Sequence, residues 1–431
     1  MKKLFVYLIA ILVFINSSIT PSIAQDNKLL TYYKEKNFFK LDNLMQKIKY
    51  DKSNPDLLLY SATLDNVFNK PDESNRLINI LLKEYSKYFN DTIVKELYYM
   101  QSSNAFRLQD YKNAYYCDSI IVNKYKRVCD SSEIDTRKDD ITIYHSLMNV
   151  PKMEIKIPEN SKIPIKRDIA GLQNIATTLQ KDTVNFVFDT GAQFSVIMES
   201  VAKKYGVKML NDKIWTGTST NKKVEGHMGL LNINLGNIEL KNVAFIVLPD
   251  SFLTFANGQY RIKGIIGFPV IYALNGFTIK DDKFLMVSQK QQDTSDRNFA
   301  LDGQFIIIRV IAHNDTLPFI FDSGNQTTCL SSSFFNKYKN EITGKYKKVK
   351  VETGGAGGMV KTDAYILDSL NISAGNSQYT LHSLSIYPED LAGYDIKYAY
   401  GNFGQNYISK FSEMRINFAS MNIEFREKKK K

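Results

Sequence analysis

The chain has 431 residues, 44% of them hydrophobic, and a formal net charge of +11. That length calls for two or three cores and that apolar content fills them, which excludes a disordered chain. The basic residues are scattered over all regions instead of being gathered on one element with interleaved aromatics, so nucleic acid is not an expected partner.

Residues 1–24 read as an export signal: Lys2 and Lys3, an apolar stretch from Leu4 to Ile15, then Ser22-Ile23-Ala24 as a small-residue cleavage site before Gln25. The stretch is too short to span a bilayer comfortably. The expected location is therefore periplasmic or secreted, with no stable membrane insertion after signal removal.

Residues 25–150 have a helical texture, with apolar residues at three and four spacing (Leu77, Ile80, Leu81, Tyr85) and almost no glycine. Ala62, Phe68 and Pro71-Asp72-Glu73 face Ser102, Leu108 and Tyr111-Lys112-Asn113 at a spacing of 40. This predicts an all-α domain of helical hairpins, either a short TPR-like array or a plain bundle. Three cysteines, Cys117, Cys129 and Cys329, are too few for a disulfide framework; Cys117 and Cys129 are either bridged or both free.

At Val150-Pro151 the pattern changes to alternating strands, with prolines at 151, 158 and 164 and many glycines. Two related halves follow, 151–290 and 291–431, joined near Gln289 to Asn298, the second ending in a basic tail, Lys428 to Lys431. Leu231-Asn232-Ile233-Asn234-Leu235-Gly236-Asn237 is echoed by Leu370-Asn371-Ile372-Ser373-Ala374-Gly375-Asn376, and Gly264-Ile265-Ile266-Gly267 by Gly401-Asn402-Phe403-Gly404. The spacings, 139 and 137, drift as loop insertions in a duplicated domain would make them drift.

Within this repeat stand Asp189-Thr190-Gly191-Ala192 and Asp322-Ser323-Gly324-Asn325, 133 positions apart. Each is preceded by a turn and an apolar strand, Asp182 to Phe188 and Asp315 to Phe321. Each is followed by a hydroxyl six residues after the aspartate (Ser195, Thr328) and an aliphatic residue eight after it (Ile197, Leu330). For either triplet alone, a turn capping the next segment is the favoured reading. Two in matching frames, each behind an apolar strand, point to buried carboxylates, and a buried charge is costly unless it is shared. Two carboxylates brought face to face share one proton and titrate as a coupled pair, a general acid and base at once. Gly191 and Gly324 let neighbouring backbone approach, and Thr190 and Ser323 supply hydroxyls that can lock the loops together.

These paired triplets resemble the aspartic proteases, specifically the retropepsin-like bacterial group, here as two lobes in one chain over residues 165 to 426. The resemblance implies a bilobal all-β fold after the helical domain, hence α + β overall. It also implies an apolar-apolar-glycine segment behind each catalytic loop; Ile265-Ile266-Gly267 matches it, and Asn402-Phe403-Gly404 departs from it at Asn402. A glycine-tipped flap is implied after each triplet, with Trp215 and Gly217 as candidates in the first half and Gly354 and Gly355 in the second. A phosphate loop is the rival reading of the second glycine run, but Val360 stands directly before Lys361 where such a loop needs glycine.

His145, His227, His313 and His382 are isolated, so neither a metal nor a cofactor is implied. The resulting expectation is an exported aspartic endopeptidase with Asp189 and Asp322 as catalytic residues, a peptide or protein as substrate, and a monomer, since one chain supplies both aspartates. The alternative is a weak or inactive peptide-binding protein of the same fold. Ala192 stands where a hydroxyl would stabilise the ionised dyad, so a mildly acidic to near-neutral optimum is expected, with Asn325 as a partial replacement donor.

Overall fold

The computed structural model describes residues 23–49, 51–217, 223–289, 296–355, 358–390 and 396–428. Most of the signal, the centre of the linker, Ala356-Gly357 and the last three lysines lie outside these, and so do the expectations that fall on them.

Among the described residues seven α-helices come first: α1 (Ile23–Lys34), α2 (Phe38–Met45), α3 (Pro55–Val67), α4 (Pro71–Glu84), α5 (Asp91–Arg107), α6 (Tyr111–Lys124) and α7 (Ser131–Leu147). Their starts are written locally. Asn54 caps α3 by accepting from the Asp56 and Leu57 N–H groups, with Pro55 in the first turn. Asn90, Asp110 and Asp130 cap α5, α6 and α7 in the same way. The 40-residue echo marks the points where paired helices touch. Ser74 on α4 donates to the Ala62 carbonyl on α3 at 3.0 Å, and Ser102 on α5 donates to the Ala114 carbonyl on α6 at 3.5 Å. Small residues at these points let the helices approach closely. Between the hairpins, Arg107 donates to the Asn66 carbonyl and to Asn104 Oδ1, a buried polar network with its groups satisfied. Cys117 and Cys129 are free thiols, as is Cys329. Among the described residues no helix is long and apolar enough to cross a membrane.

The chain then becomes β-rich. Gln173–Leu179, Asp182–Phe188, Gly264–Ile266, Ser195–Met198, Ile238–Leu248 and Lys223–Leu235 pair in that order, and the last pairs back on the first, Leu235 opposite Thr177. A barrel-like ring results. Phe305–Ala312, Asp315–Phe321, Gly401–Phe403, Cys329–Leu330, Ser377–Ile386 and Gly358–Ala374 form a second ring in the same order, closed by Val310 opposite Ala374. Each ring extends a long hairpin, Lys208–Gly217 on the first and Lys348–Gly355 on the second. The C-terminal strands Phe411–Asn417 and Asn422–Glu427 leave the second ring and join the first ring's sheet, Phe411–Asn417 pairing with Gly276–Lys280. One hydrophobic core runs through the helices and both rings.

The helical region is anchored to both rings. On the first, Phe106 of α5 packs edge-on to Phe194 and against Phe268, which flank the loop after Asp189. Beside the second, the buried Asp302 carboxylate accepts from Lys36 Nζ (3.2 Å), Tyr99 (3.0 Å) and Tyr398 (2.9 Å). Burial opposes the charge on Asp302, but Lys36 and the two tyrosine hydroxyls outweigh it and hold the carboxyl below the ordinary range.

Candidate active site

Both aspartates sit at the ends of buried strands that run parallel to a short glycine-bearing strand. Val187 and Phe188 pair with Ile265 and Ile266, and the Asp189 N–H donates to the Ile266 carbonyl at 3.0 Å. Ile320 and Phe321 pair with Asn402 and Phe403, and the Asp322 N–H donates to the Phe403 carbonyl at 3.0 Å. The hydroxyls six residues on close each loop: Ser195 accepts from the Gly267 N–H at 3.1 Å and Thr328 from the Gly404 N–H at 3.0 Å.

The loops meet across the junction. Thr190 Oγ1 donates to the Phe321 carbonyl and Ser323 Oγ to the Phe188 carbonyl, at 3.0 and 2.8 Å. Each hydroxyl also accepts the other residue's backbone N–H, so four buried hydrogen bonds bind loop to loop. This brings each carboxylate against the opposite glycine. A Cβ on Gly191 would lie 2.5 Å from Asp322 Cγ, and one on Gly324 would lie 2.3 Å from Asp189 Cγ. Only glycine fits at either place.

Each carboxylate accepts from the N–H two residues on, Gly191 to Asp189 Oδ1 (2.8 Å) and Gly324 to Asp322 Oδ1 (2.9 Å). Both aspartates are hemmed in yet keep part of their surface open to solvent. Burial first, then the charge of Asp322, pushes Asp189 up to about 8. Burial raises Asp322 too, against donors on the carboxylate. The two carboxyls bear on each other directly, a hydrogen bond between them adding to the rise at Asp189 and opposing it at Asp322, and carboxyls coupled in this way can hold and return a proton.

The departure at Asn402 leaves the strand register of the second loop unchanged and brings an amide to the site. Asn402 is 2% exposed, and its Nδ2 donates to Asp322 Oδ2 at 3.0 Å. The expected replacement donor, Asn325, is directed elsewhere: its Oδ1 accepts from the Thr327 N–H at 3.4 Å. Sequence reasoning also missed Gln405, which donates to the Ser323 carbonyl at 2.8 Å and accepts from Arg167. A glutamine directly after Gly404, where Phe268 follows Gly267 in the first half, was the available signal.

Trp215 is 44% exposed on the arm of the first hairpin, and Gly217 ends that arm opposite Lys223. Gly354 and Gly355 end the arm of the second, opposite Met359 and Gly358. The hairpin tips, 218–222 and 356–357, lie outside the described residues.

Residues 175–270 match a family model described as aspartyl protease. The matched segment carries Asp189-Thr190-Gly191 and the Ile265-Ile266-Gly267 strand behind it, and the chain contains an aspartic protease-like domain. No curated protein matches the chain.

Proposed function

We propose that this chain is an exported aspartic endopeptidase of two related lobes, with Asp189 and Asp322 as a dyad sharing one proton. The observation that carries the reading is reciprocal: each carboxylate rests on the other loop's glycine, in a junction fixed by four hydrogen bonds from Thr190 and Ser323. The identical strand order of the two rings supports the reading of two lobes.

In the proposed reaction the ionised member takes a proton from water while the water oxygen attacks the peptide carbonyl carbon. The protonated member gives its proton to the carbonyl oxygen, forming a geminal diol. The diol then collapses: one hydroxyl proton returns to the dyad, the dyad's other proton goes to nitrogen, and the C–N bond breaks. No covalent enzyme intermediate forms. The two hairpins serve as flaps over an extended peptide, with Trp215 presented to it and backbone pairing holding the chain.

Incubation of the chain with a mixed peptide library, read by mass spectrometry beside Asp189→Asn and Asp322→Asn, tests this. Cleavage by the parent alone supports the dyad. Peptide binding without cleavage by any of the three would leave a binding protein of this fold.

A further inference from the structure

Apart from the bond between the two carboxyls themselves, the donors to the two aspartates among the described residues match except at one point. Each carboxylate accepts from the N–H of the glycine two residues on; the next N–H, of Ala192 or Asn325, donates to the aspartate's own backbone carbonyl and lies close enough to favour the ionised carboxylate. Asp322 alone accepts a side-chain amide, from Asn402. The position that corresponds to Asn402 in the first ring is Ile265, since each pairs with the residue two before its aspartate: Ile265 with Val187, Asn402 with Ile320. An isoleucine has no hydrogen to give.

Resting on the dyad reading above, we propose that Asn402 divides the labour of the pair: it holds Asp322 as the ionised base that takes the proton from water, leaving Asp189 as the proton-bearing acid that polarises the carbonyl. An N–H donor favours the charged form of a carboxylate, and an extra one on a single partner breaks a tie that symmetric loops would leave open. Burial makes the preference firm, because a buried amide aimed at a charge has no water to exchange for it. The other titratable groups facing Asp322 are Asp189 and, on the adjoining strand, Cys329, whose thiol burial pushes up to about 12 and keeps neutral. Asn402 is thus a positioning residue acting through Asp322.

The test is a carbon-13 carboxyl titration of the full chain, with aspartates labelled and the two resonances assigned from Asp189→Asn and Asp322→Asn. Asp322 is expected to ionise first; Asp189 ionising first overturns the proposal, whether or not the chain cleaves peptides. Asn402→Ile, which copies the first ring, supplies the second readout. It is expected to move the acid limb of kcat/KM upward by about one pH unit with KM little changed, and Asn402→Gln to recover part of the shift. A raised KM with an unmoved acid limb would instead make Asn402 a substrate contact. Cleavage that survives both Asp→Asn substitutions would sink the dyad reading itself, leaving the titration order to judge which carboxyl Asn402 holds ionised.

Discussion

Thr190 and Ser323, 133 positions apart, exchange backbone-to-hydroxyl hydrogen bonds, the Thr190 N–H to Ser323 Oγ at 3.0 Å and the Ser323 N–H to Thr190 Oγ1 at 2.9 Å. Ser323→Ala leaves the Thr190 N–H and the Phe188 carbonyl without those partners, at about 2–4 kcal/mol for two buried groups. Because the same bonds set the spacing of the carboxylates, activity should fall on the order of 10²-fold. Thermal unfolding and kcat/KM of Ser323→Ala, beside Thr190→Val, check both effects; loss of stability with full activity would separate the lock from the site.

Gly324→Ala should be more severe for activity than for folding. Its Cβ would fall 2.3 Å from Asp189 Cγ, so the carboxyl must move and the dyad opens. A drop of at least about 10²-fold in kcat is expected. Gly344→Ala is the control: nothing lies within 4 Å of that Cβ, and the residue sits in the Lys339–Lys345 helix. It should keep full activity and gain roughly 0.5–1 kcal/mol.

Asp189 also links the site to stability. Its carboxyl keeps a proton in the folded chain up to about 8, while the unfolded chain releases it near the ordinary value of 3.8. Between those limits the folded state binds more protons, so its stability falls as pH rises. Asp189→Asn removes this dependence. Melting curves should show the variant gaining over the parent from pH 4 toward pH 8; a constant difference across that range would mean that Asp189 is not held protonated.

Much of this arrangement was legible in the sequence because it is local. An apolar strand ending in Asp-Thr-Gly or Asp-Ser-Gly fixes a strand, a turn and a close approach within ten residues, and the Ser195 and Thr328 hydroxyls lie at a constant offset. What was not legible depends on partners far apart in the chain. Nothing near Lys36 announces Asp302, 266 residues on, and nothing in Phe411–Asn417 announces its pairing with Gly276–Lys280. Asn402 was visible as a departure from pattern, but the pattern cannot say that its amide reaches Asp322. Trp215 was legible as a flap candidate from its place after Asp189, but its exposure on the arm of the first hairpin is a tertiary fact.

Asp302 is the clearest anchor of the helical domain. Asp302→Asn removes the counter-charge of Lys36 and one of the two oxygens that accept the tyrosine hydroxyls, Tyr99 on Oδ1 and Tyr398 on Oδ2, a loss of about 2–4 kcal/mol. Hydrogen exchange should show faster opening of α1 and α5 than of the rings. Because Asp302 is held below the ordinary carboxyl range, the stability it gives is fully present above that range and is lost as pH falls through the depressed value. Acid should therefore loosen this contact in the parent and have less effect in the variant.

The shared proton is the centre of the account, and kcat/KM measured from pH 3 to 9 on a peptide the chain cleaves reports it most directly. A bell is expected, with an acid limb for the first ionisation of the pair and an alkaline limb, well above the ordinary carboxylate range, for loss of the shared proton. A rate that rises through a single ionisation and stays flat to pH 9 would contradict it, because a dyad with no proton left cannot protonate the carbonyl oxygen.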